Sequence, residues 1–287
     1  MPNYAYINGT IVPAAKAVIP INDLGLLRGY AVFDYLRTYN GKPLLINHHF
    51  ERFENSAKSL RIALPLTKKQ ITETIISLIQ KSKIKKDVGI RLLITGGNST
   101  DGISLGKPNF IIIIEDLAEP KEEEIKNGVK LIINKFQRET PLVKTTNYKN
   151  AIRHSSEKEE QNAYDILYHF NNNILETTRN NFFIFKKNIL LTAKEKVLQG
   201  ITRKIILQIA KEKFKIEERP VNIDELKDAT EAFVTGATKN ILPVVQINKL
   251  KIGNGKIGKN TKILIKMFRK YIRNCLKIQK NNKTSNE

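Results

Sequence analysis

The segment Leu175–Phe183 reads Leu-Glu-Thr-Thr-Arg-Asn-Asn-Phe-Phe, and it joins two stretches with the composition of β-strands. Residues 173–176 and 181–185 are rich in Ile, Leu and Phe, which favour strands, and the residues between them are polar. Glu176 is therefore predicted to stand at the end of a strand, beside the polar connection.

Strands and helices alternate on both sides of this segment, which is typical of an α/β arrangement. We predict a helix near residues 148–163, a second from Gly200 to Phe214, and a C-terminal helix from the apolar spacing between Ile263 and Leu276. The predicted strands of this half are residues 129–136, 165–170, 173–176, 181–185, 189–192, 231–235 and 241–247.

The first half of the chain shows a different pattern. Asn-Gly pairs at residues 8–9 and 40–41 predict tight turns between strands. Asn47 is the predicted N-cap of a helix over residues 48–60, and Thr67 begins another helix. The predicted buried strands are residues 89–95 and 109–115.

A polar, acidic segment that contains Pro120 separates the two halves. The sequence therefore predicts a small α+β domain at residues 1–118, a linker at 119–127, and a large α/β domain at 128–287 that ends in a basic helix.

The composition is that of a folded protein: 41% of the 287 residues are hydrophobic, 27% are charged, and the mean hydropathy is −0.33. The longest unbroken apolar run is far shorter than the roughly 20 residues that span a bilayer. The first residues, Met1–Tyr6, lack a basic leader with an apolar core, and the single cysteine, Cys275, cannot form an internal disulfide. We predict a cytoplasmic protein.

The net charge of +21 can indicate a nucleic-acid-binding protein. About half of the excess lies in residues 244–287, where twelve Lys and Arg stand against one Glu. Because basic and aromatic residues do not cluster as they do where bases stack, we interpret the charge as the solvated face of the C-terminal helix. A basic, non-enzymatic nucleic-acid-binding protein remains the alternative from a different functional class.

Several common catalytic motifs are absent from the sequence: a Walker loop, a His-Glu-x-x-His pair and a nucleophile elbow. His48 and His49 stand at a predicted helix start, where a structural role is the ordinary interpretation. We predict no metal site.

A specific order of weaker elements runs through the chain. Lys144 precedes Asn147-Tyr148, and Glu176 follows Lys144 by 32 residues. Gly200–Arg203 and Phe233–Thr238 come next, and His49–Phe53 lies upstream. This order resembles the class IV pyridoxal-phosphate transaminases, a family of D-amino acid transaminases, branched-chain transaminases and aminodeoxychorismate lyases. The resemblance implies fold type IV, with a small α+β domain and a large α/β pseudo-barrel domain.

The resemblance implies that Lys144 holds pyridoxal phosphate as a Schiff base and moves a proton at the substrate α-carbon. It implies that Glu176 keeps the pyridine nitrogen protonated, and that Tyr148 faces the phenolic oxygen of the cofactor. These roles suit the residue types, since lysine is both nucleophile and base and a buried carboxylate stabilises a nearby cation. Spacing alone would leave Lys144 as one solvated lysine among many and Glu176 as an ordinary strand-end carboxylate.

The phosphate is expected at the start of the helix that follows Gly200, because free amide groups there attract anions. The resemblance assigns it to Ile201, Thr202 and Arg52. Many family members have a hydroxyl residue where Ala237 stands, so Thr238 is the expected substitute.

Three arginines are the predicted substrate-binding residues: Arg28, Arg91 and Arg179. Each falls in a segment that borders the family's site, and unpaired buried guanidinium groups indicate an anionic ligand. Arg37 is interpreted as a structural ion-pair partner.

We therefore predict a pyridoxal-phosphate transaminase that moves an amino group between an amino acid and a 2-oxo acid. D-amino acids are the preferred substrates, L-branched-chain amino acids the alternative, and aminodeoxychorismate cleavage the third possibility. The resemblance implies a homodimer in which the loop Leu24–Tyr30 reaches the neighbouring subunit's site. No membrane partner is predicted.

Overall fold

The computed structural model describes residues 4–284, with side chains described up to Lys277, and it divides into two compact units. Unit 1 contains the described residues up to Ala118 together with Leu142–Asn147. Unit 2 contains Glu119–Pro141 and the described residues from Tyr148 onward. The chain thus leaves unit 1, returns to it for the short segment that carries Lys144, and continues in unit 2.

The described part of unit 1 forms an antiparallel sheet of six strands, accompanied by three α-helices. The strands are β1 (Tyr4–Ile7), β2 (Thr10–Pro13), β3 (Ala31–Tyr39), β4 (Lys42–Pro43), β5 (Val88–Thr95) and β6 (Phe110–Asp116), and the helices are α1 (Leu24–Arg28), α2 (Ile46–Ser59) and α3 (Lys68–Lys81). A 3-10 helix spans Ala14–Lys16. The strand order is β2-β1-β6-β5-β3-β4.

The core of unit 1 lies between this sheet and helices α2 and α3. Ile71, Ile75 and Leu78 recur at helical spacing on α3, and all three side chains are buried with Phe53 of α2. Thr67 caps α3 as predicted, because its hydroxyl accepts from the Gln70 N–H while the Gln70 side chain accepts from the Thr67 N–H.

Helix α2 begins earlier than predicted. Asn47 is not its N-cap, since Leu45 occupies that position with a φ of 54° and its carbonyl accepts from the N–H groups of His48 and His49. Ile46 and Phe50 pack against the core. The apolar face of the helix therefore includes Ile46, which lies before the helix start predicted from Asn47.

The described part of unit 2 contains ten strands and five α-helices. The strands are β7 (Val129–Lys135), β8 (Asp165–Phe170), β9 (Asn173–Thr177), β10 (Asn181–Lys186), β11 (Ile189–Thr192), β12 (Lys215–Glu218), β13 (Val221–Asn222), β14 (Glu231–Gly236), β15 (Asn240–Ile247) and β16 (Leu250–Lys251), and the helices are α4 (Glu122–Asn127), α5 (Lys149–Arg153), α6 (Ser155–Glu160), α7 (Ile201–Ala210) and α8 (Lys259–Thr284). A 3-10 helix spans Ile223–Leu226.

Six of these strands close into a ring. The path β10-β14-β15-β7-β8-β9 returns to its start because Asn181 of β10 pairs with Glu176 of β9. The pairs β15–β7 and β7–β8 are parallel, whereas the remaining pairs of the ring are antiparallel. This closed mixed sheet, with helices around it, confirms the predicted α/β pseudo-barrel, and Glu176 lies where it closes.

Two predicted segments differ in the structure. The segment predicted as a linker, residues 119–127, belongs to unit 2 and contains α4, because three glutamates in its first turn suit the positive end of the helix dipole. The helix predicted near residues 148–163 is two short helices, α5 and α6, that meet at His154. The His154 ring bonds to Asn134 and Glu157, and these contacts hold the break.

Helix α8 has the two faces that its sequence predicts. Leu264, Phe268 and Ile272 are buried, whereas Lys262 and Lys266 are exposed. Within residues 4–284, the helices are too short or too polar to cross a membrane.

Candidate active site

In unit 1 the segment Leu142–Asn147 runs beside strand β3, which fixes the backbone of Lys144. The Lys144 carbonyl accepts from the Phe33 N–H at 2.9 Å, and the Lys144 N–H donates to the Ser56 hydroxyl at 3.2 Å. The ammonium nitrogen of Lys144 lies 4.5 Å from the centre of the Phe33 ring. Because successive strand residues point to opposite faces, this ring and the lysine lie on the sheet face away from the neighbouring Asp34.

Asp34 is fully buried on the helix-covered face, where it is held by two residues of α2. It accepts from Nδ1 of His49 at 2.7 Å and from Nε and Nη2 of Arg52 at 2.7 and 2.9 Å. Burial alone would raise the pKa of Asp34, but the charges and hydrogen bonds of Arg52 and His49 outweigh it and hold the pKa well below its ordinary value. Burial lowers the pKa of His49, although Asp34 opposes the shift.

Asp34→Asn should lower the free energy of unfolding by about 3–5 kcal/mol, because it removes one partner of a buried ion pair. The folded-state pKa of Asp34 lies below its ordinary 3.8. The contribution of ionised Asp34 to the free energy of unfolding is therefore complete above about pH 4 and is lost as the pH falls further. Urea unfolding at pH 7 and pH 3 measures both effects.

Asp116→Asn is the matched control, since Asp116 forms an exposed pair with Lys86 at 2.7 Å, and solvent screening makes the contribution of such a pair to stability small. Equal unfolding free energies for the Asp34 and Asp116 variants at pH 7 would contradict a structural role for the Asp34 cluster.

The same cluster positions Arg52, the predicted phosphate ligand. Two of its nitrogens, Nε and Nη2, bond to Asp34. The guanidinium is thus fixed in one orientation, and Nη1 takes no part in these bonds. Its contact with phosphate stays a prediction.

The predicted substrate arginines of unit 1 have different surroundings. Arg91 is not an unpaired guanidinium, as the sequence argument assumed, because Glu115 of β6 holds it through Nε and through Nη2 at 2.9 Å. Arg28 is exposed at the end of α1 and donates to the Leu27 carbonyl. Arg37 is buried and stacks on the Tyr39 ring, 4.1 Å from its centre.

In unit 2 the side chain of Glu176 is buried, with 5% of the residue exposed. One of its oxygens accepts from Nε of Arg138 at 3.0 Å. The other accepts from the Leu198 N–H at 3.1 Å and from Nδ2 of Asn181 at 3.3 Å. Donors from two side chains and one main chain amide are thus arranged around one carboxylate at the seam of the barrel.

Arg138 is a residue of the candidate site that the sequence did not indicate. Besides Glu176, its guanidinium bonds to the Thr178 carbonyl and lies 5.1 and 6.0 Å from the rings of Tyr148 and Tyr168. Tyr148, the residue before α5, is therefore connected to Glu176 through Arg138. The only sequence signal was an arginine six residues before Lys144 in a polar stretch.

The predicted anion site of unit 2 falls at the start of α7. Gly200 is the N-cap and provides no side chain cap, so the first amide groups of the helix lack intrahelical acceptors. Ile201 and Thr202 are both buried there. A Cβ at Gly200 would lie 2.1 Å from the Asn181 side chain oxygen, so a glycine is required where α7 approaches the residue that also bonds to Glu176.

Thr238 lies in the turn between β14 and β15 and is half-buried. Arg179 is exposed. Burial and the positive charge of Arg179 lower the pKa of Lys239, the next residue of this turn. A Cβ at Gly236 would lie 2.4 Å from the Asn180 side chain oxygen. The turn thus packs closely against the segment that follows Glu176.

These residues fit the chemical groups of pyridoxal phosphate. Glu176 is a buried carboxylate held in one orientation by its donors, and such a group stabilises a protonated ring nitrogen. The uncapped start of α7, with the Thr202 hydroxyl, suits a phosphate. In unit 1, Lys144 provides an amine. The backbone of Lys144 is fixed by hydrogen bonds of its carbonyl and N–H groups, which do not involve the side chain.

The comparisons with known proteins agree with this chemistry. Residues 31–247 match the family model described as amino-transferase class IV. The chain is 30% identical to a Methanocaldococcus jannaschii protein provisionally named a branched-chain-amino-acid aminotransferase, over 92% of this chain and 94% of the relative. It is 26% identical to the D-alanine aminotransferase of Staphylococcus haemolyticus, over 93% and 97%.

Solved structures share the fold. The branched-chain amino acid aminotransferase of Thermobaculum terrenum, in its pyridoxal-phosphate-bound form, matches with a TM-score of 0.83 and 24% identity, over 94% of each chain. The Escherichia coli branched-chain enzyme matches with a TM-score of 0.85 and 24% identity, over 92% of each chain. The chain belongs to the class IV aminotransferases and is a pyridoxal-phosphate-dependent aminotransferase.

Proposed function

We propose that this chain moves an amino group between an L-amino acid with a branched, uncharged side chain and a 2-oxo acid, with Lys144 as the catalytic residue. The observation that carries the proposal is the surface next to the Lys144 amine. Phe33 lies 4.5 Å from that amine, and the nearby Arg91 is paired with Glu115. An aromatic ring and a neutralised ion pair favour an apolar side chain over a charged one.

Bound pyridoxal phosphate supplies an electron sink for negative charge at the substrate α-carbon. With the cofactor bound, Lys144 would remove the proton from that carbon and deliver it to C4′ of the cofactor, since it is the amine assigned to the attachment point. Glu176 holds a proton at the ring nitrogen, and Arg138 orients the Glu176 carboxylate. Tyr148 is assigned to the phenolic oxygen.

The phosphate is assigned to one helix start and two further side chains. The amide groups of Ile201 and Thr202 donate to it, as does the Thr202 hydroxyl. Thr238 and Arg52 complete the set, the latter oriented by Asp34.

D-amino acid transfer is the second candidate, and two arginines favour it. Within residues 4–277, Arg28 and Arg179 form no salt bridge of 4.0 Å or less, so either could meet an α-carboxylate. The preference that the sequence analysis gave to D-amino acids also depended on Arg91, and the pairing with Glu115 removes that part of the argument.

A coupled assay with matched donors separates the two candidates. L-leucine and D-alanine, each with 2-oxoglutarate and with pyruvate, should give a kcat/KM for L-leucine at least about tenfold higher, because one well-filled apolar pocket provides that much discrimination. The opposite ratio would establish the D-amino acid candidate. Turnover of neither donor would overturn both.

An exposed apolar surface on unit 1 supports the proposed homodimer. Val18, Ile21 and Ile103 are 75%, 85% and 80% exposed. Their loops lie together, because the Ser99 N–H donates to the Asn22 carbonyl. Large apolar side chains that are this exposed on neighbouring loops suit a surface that a partner covers.

Sedimentation should therefore show a dimer, and charge introduced by Ile21→Glu and Ile103→Glu together should shift the equilibrium towards monomer. Lys69→Glu, on the exposed side of α3, is the control and should leave the dimer intact. A wild-type protein that is active as a monomer would contradict this proposal.

A further inference from the structure

Three neighbouring strands of unit 1 place four side chains together on the sheet face that carries the Lys144 amine. Phe33 and Tyr35 alternate along β3, and Tyr35 is in register with Arg91 of β5. The Arg91 guanidinium lies 5.2 Å from the centres of both rings. The Lys144 amine lies 4.5 Å from the Phe33 centre, so the two cationic groups are within about 10 Å of each other.

Glu115 holds Arg91 from the third strand. Both of its oxygens accept from the guanidinium, Oε1 from Nε and Oε2 from Nη2 at 2.9 Å. Glu115 stands opposite Gly89 in the β5–β6 register, diagonal to Arg91. This two-point contact occupies one side of the guanidinium and brings a negative charge against the positive one.

Gly89 lets Tyr35 lie across the sheet beside this pair. A Cβ at Gly89 would lie 1.8 Å from the Tyr35 phenolic oxygen, so any other residue would displace the ring. Burial and the Glu115 charge raise the pKa of Tyr35, whereas Arg91 opposes the shift, which agrees with a neutral phenol beside the ion pair. The rings of Phe33 and Tyr35 therefore flank the Arg91 guanidinium, whose positive charge is balanced by Glu115.

We propose that Glu115 is a specificity-determining residue, which balances the charge of Arg91 and so disfavours substrates that carry a second carboxylate relative to substrates with uncharged side chains. The inference rests on the proposed function, since it places the substrate side chain next to Lys144. Glu115 acts through Arg91 and has no role in the chemical step.

Electrostatics gives the direction and size of the effect. A carboxylate that approaches Arg91 is attracted by the guanidinium and repelled by Glu115 a little farther away, so much of the attraction is cancelled. Removing the Glu115 charge leaves the attraction alone. A full charge-assisted hydrogen bond changes affinity by about 10- to 100-fold. Because the side chains of Arg91 and Glu115 are 33% and 27% exposed, solvent screening favours the lower figure.

Glu115→Gln should therefore improve the binding of a dicarboxylate. The probes are glutarate and 4-methylvalerate, which share one carboxylate and differ at the other end, titrated calorimetrically into the holoenzyme. We expect the Kd of glutarate to fall about tenfold and that of 4-methylvalerate to change less than about twofold. In steady-state assays, the dicarboxylate 2-oxoglutarate should show a parallel fall in KM relative to 4-methyl-2-oxopentanoate.

Two variants serve as controls. Asp116→Asn removes a charge from the adjacent residue of β6, where Asp116 pairs with Lys86, and should change neither Kd. Glu115→Asp keeps the charge and should keep the wild-type selectivity. If Glu115→Gln does not fold, Glu115→Met removes the same charge from a chain of similar length.

Weaker glutarate binding to Glu115→Gln would mean that Glu115 positions Arg91 for a second carboxylate, and it would overturn the inference. Equal changes for both probes would overturn it too. Failure of the proposed function would be seen in a different measurement, namely that the wild-type protein transaminates none of the donors. The ratio of the calorimetric Kd values for glutarate and 4-methylvalerate does not depend on turnover.

Discussion

Lys144→Ala is expected to lower kcat by at least about 10³-fold, because in the proposed assignment it removes both the attachment amine and the base that moves the α-proton. The fold should persist. The hydrogen bonds of residue 144 to Phe33 and Ser56 use its carbonyl and N–H groups, which alanine retains. Single-turnover measurements with an excess of enzyme would separate the chemical step from substrate binding.

Lys149→Ala is the matched control, since Lys149 lies five residues farther along the chain, is exposed and opens α5. It should keep wild-type turnover. Added methylamine should restore part of the activity of Lys144→Ala and have no effect on the control. Near-normal turnover of Lys144→Ala would remove Lys144 from the chemistry.

Glu176→Gln is expected to lower kcat by about 10²- to 10³-fold, the usual cost of losing a charge that stabilises a transition state. The substitution also changes hydrogen bonding. Three donors converge on two carboxylate oxygens, and an amide offers only one oxygen, so either Arg138 or the Asn181–Leu198 pair loses its acceptor. A modest fall in the free energy of unfolding should therefore accompany the loss of turnover.

Glu176→Asp separates the effect of the charge from that of the hydrogen bonds, because it keeps the carboxylate on a side chain that is one methylene shorter. Its turnover should exceed that of Glu176→Gln by at least about tenfold. Cofactor binding, followed by visible absorbance, should survive in both variants, since α7 holds the phosphate in the proposed assignment. If Glu176→Gln turned over as fast as Glu176→Asp, the charge of Glu176 would have no part in catalysis.

Local patterns predicted most of the secondary structure. The hairpin around Asn8-Gly9 and the cap at Thr67 follow from turn and capping chemistry that acts within a few residues. The closure of the unit 2 sheet depends on a pairing between β9 and β10 that the short connection after Glu176 makes available. The family resemblance provided the fold type, which local patterns alone did not.

The residues of the candidate site that escaped prediction are those whose partners lie far away in the sequence. Arg138 meets Glu176 across 38 positions, and Asp34 meets Arg52 across 18. Glu115 meets Arg91 across 24 positions, which reversed the interpretation of Arg91 as an unpaired cation. A charged residue carries no signal of its partner in a single sequence, because pairing is set by strand register and helix packing.

The most direct test of the account is the position of the covalently bound cofactor. Reduction of the holoenzyme with borohydride, followed by proteolysis and mass spectrometry, should place a pyridoxyl group on Lys144. The peptide that contains Lys149 should be unmodified. A pyridoxyl group on Lys149, or on any lysine other than Lys144, would contradict the assignment of the active site.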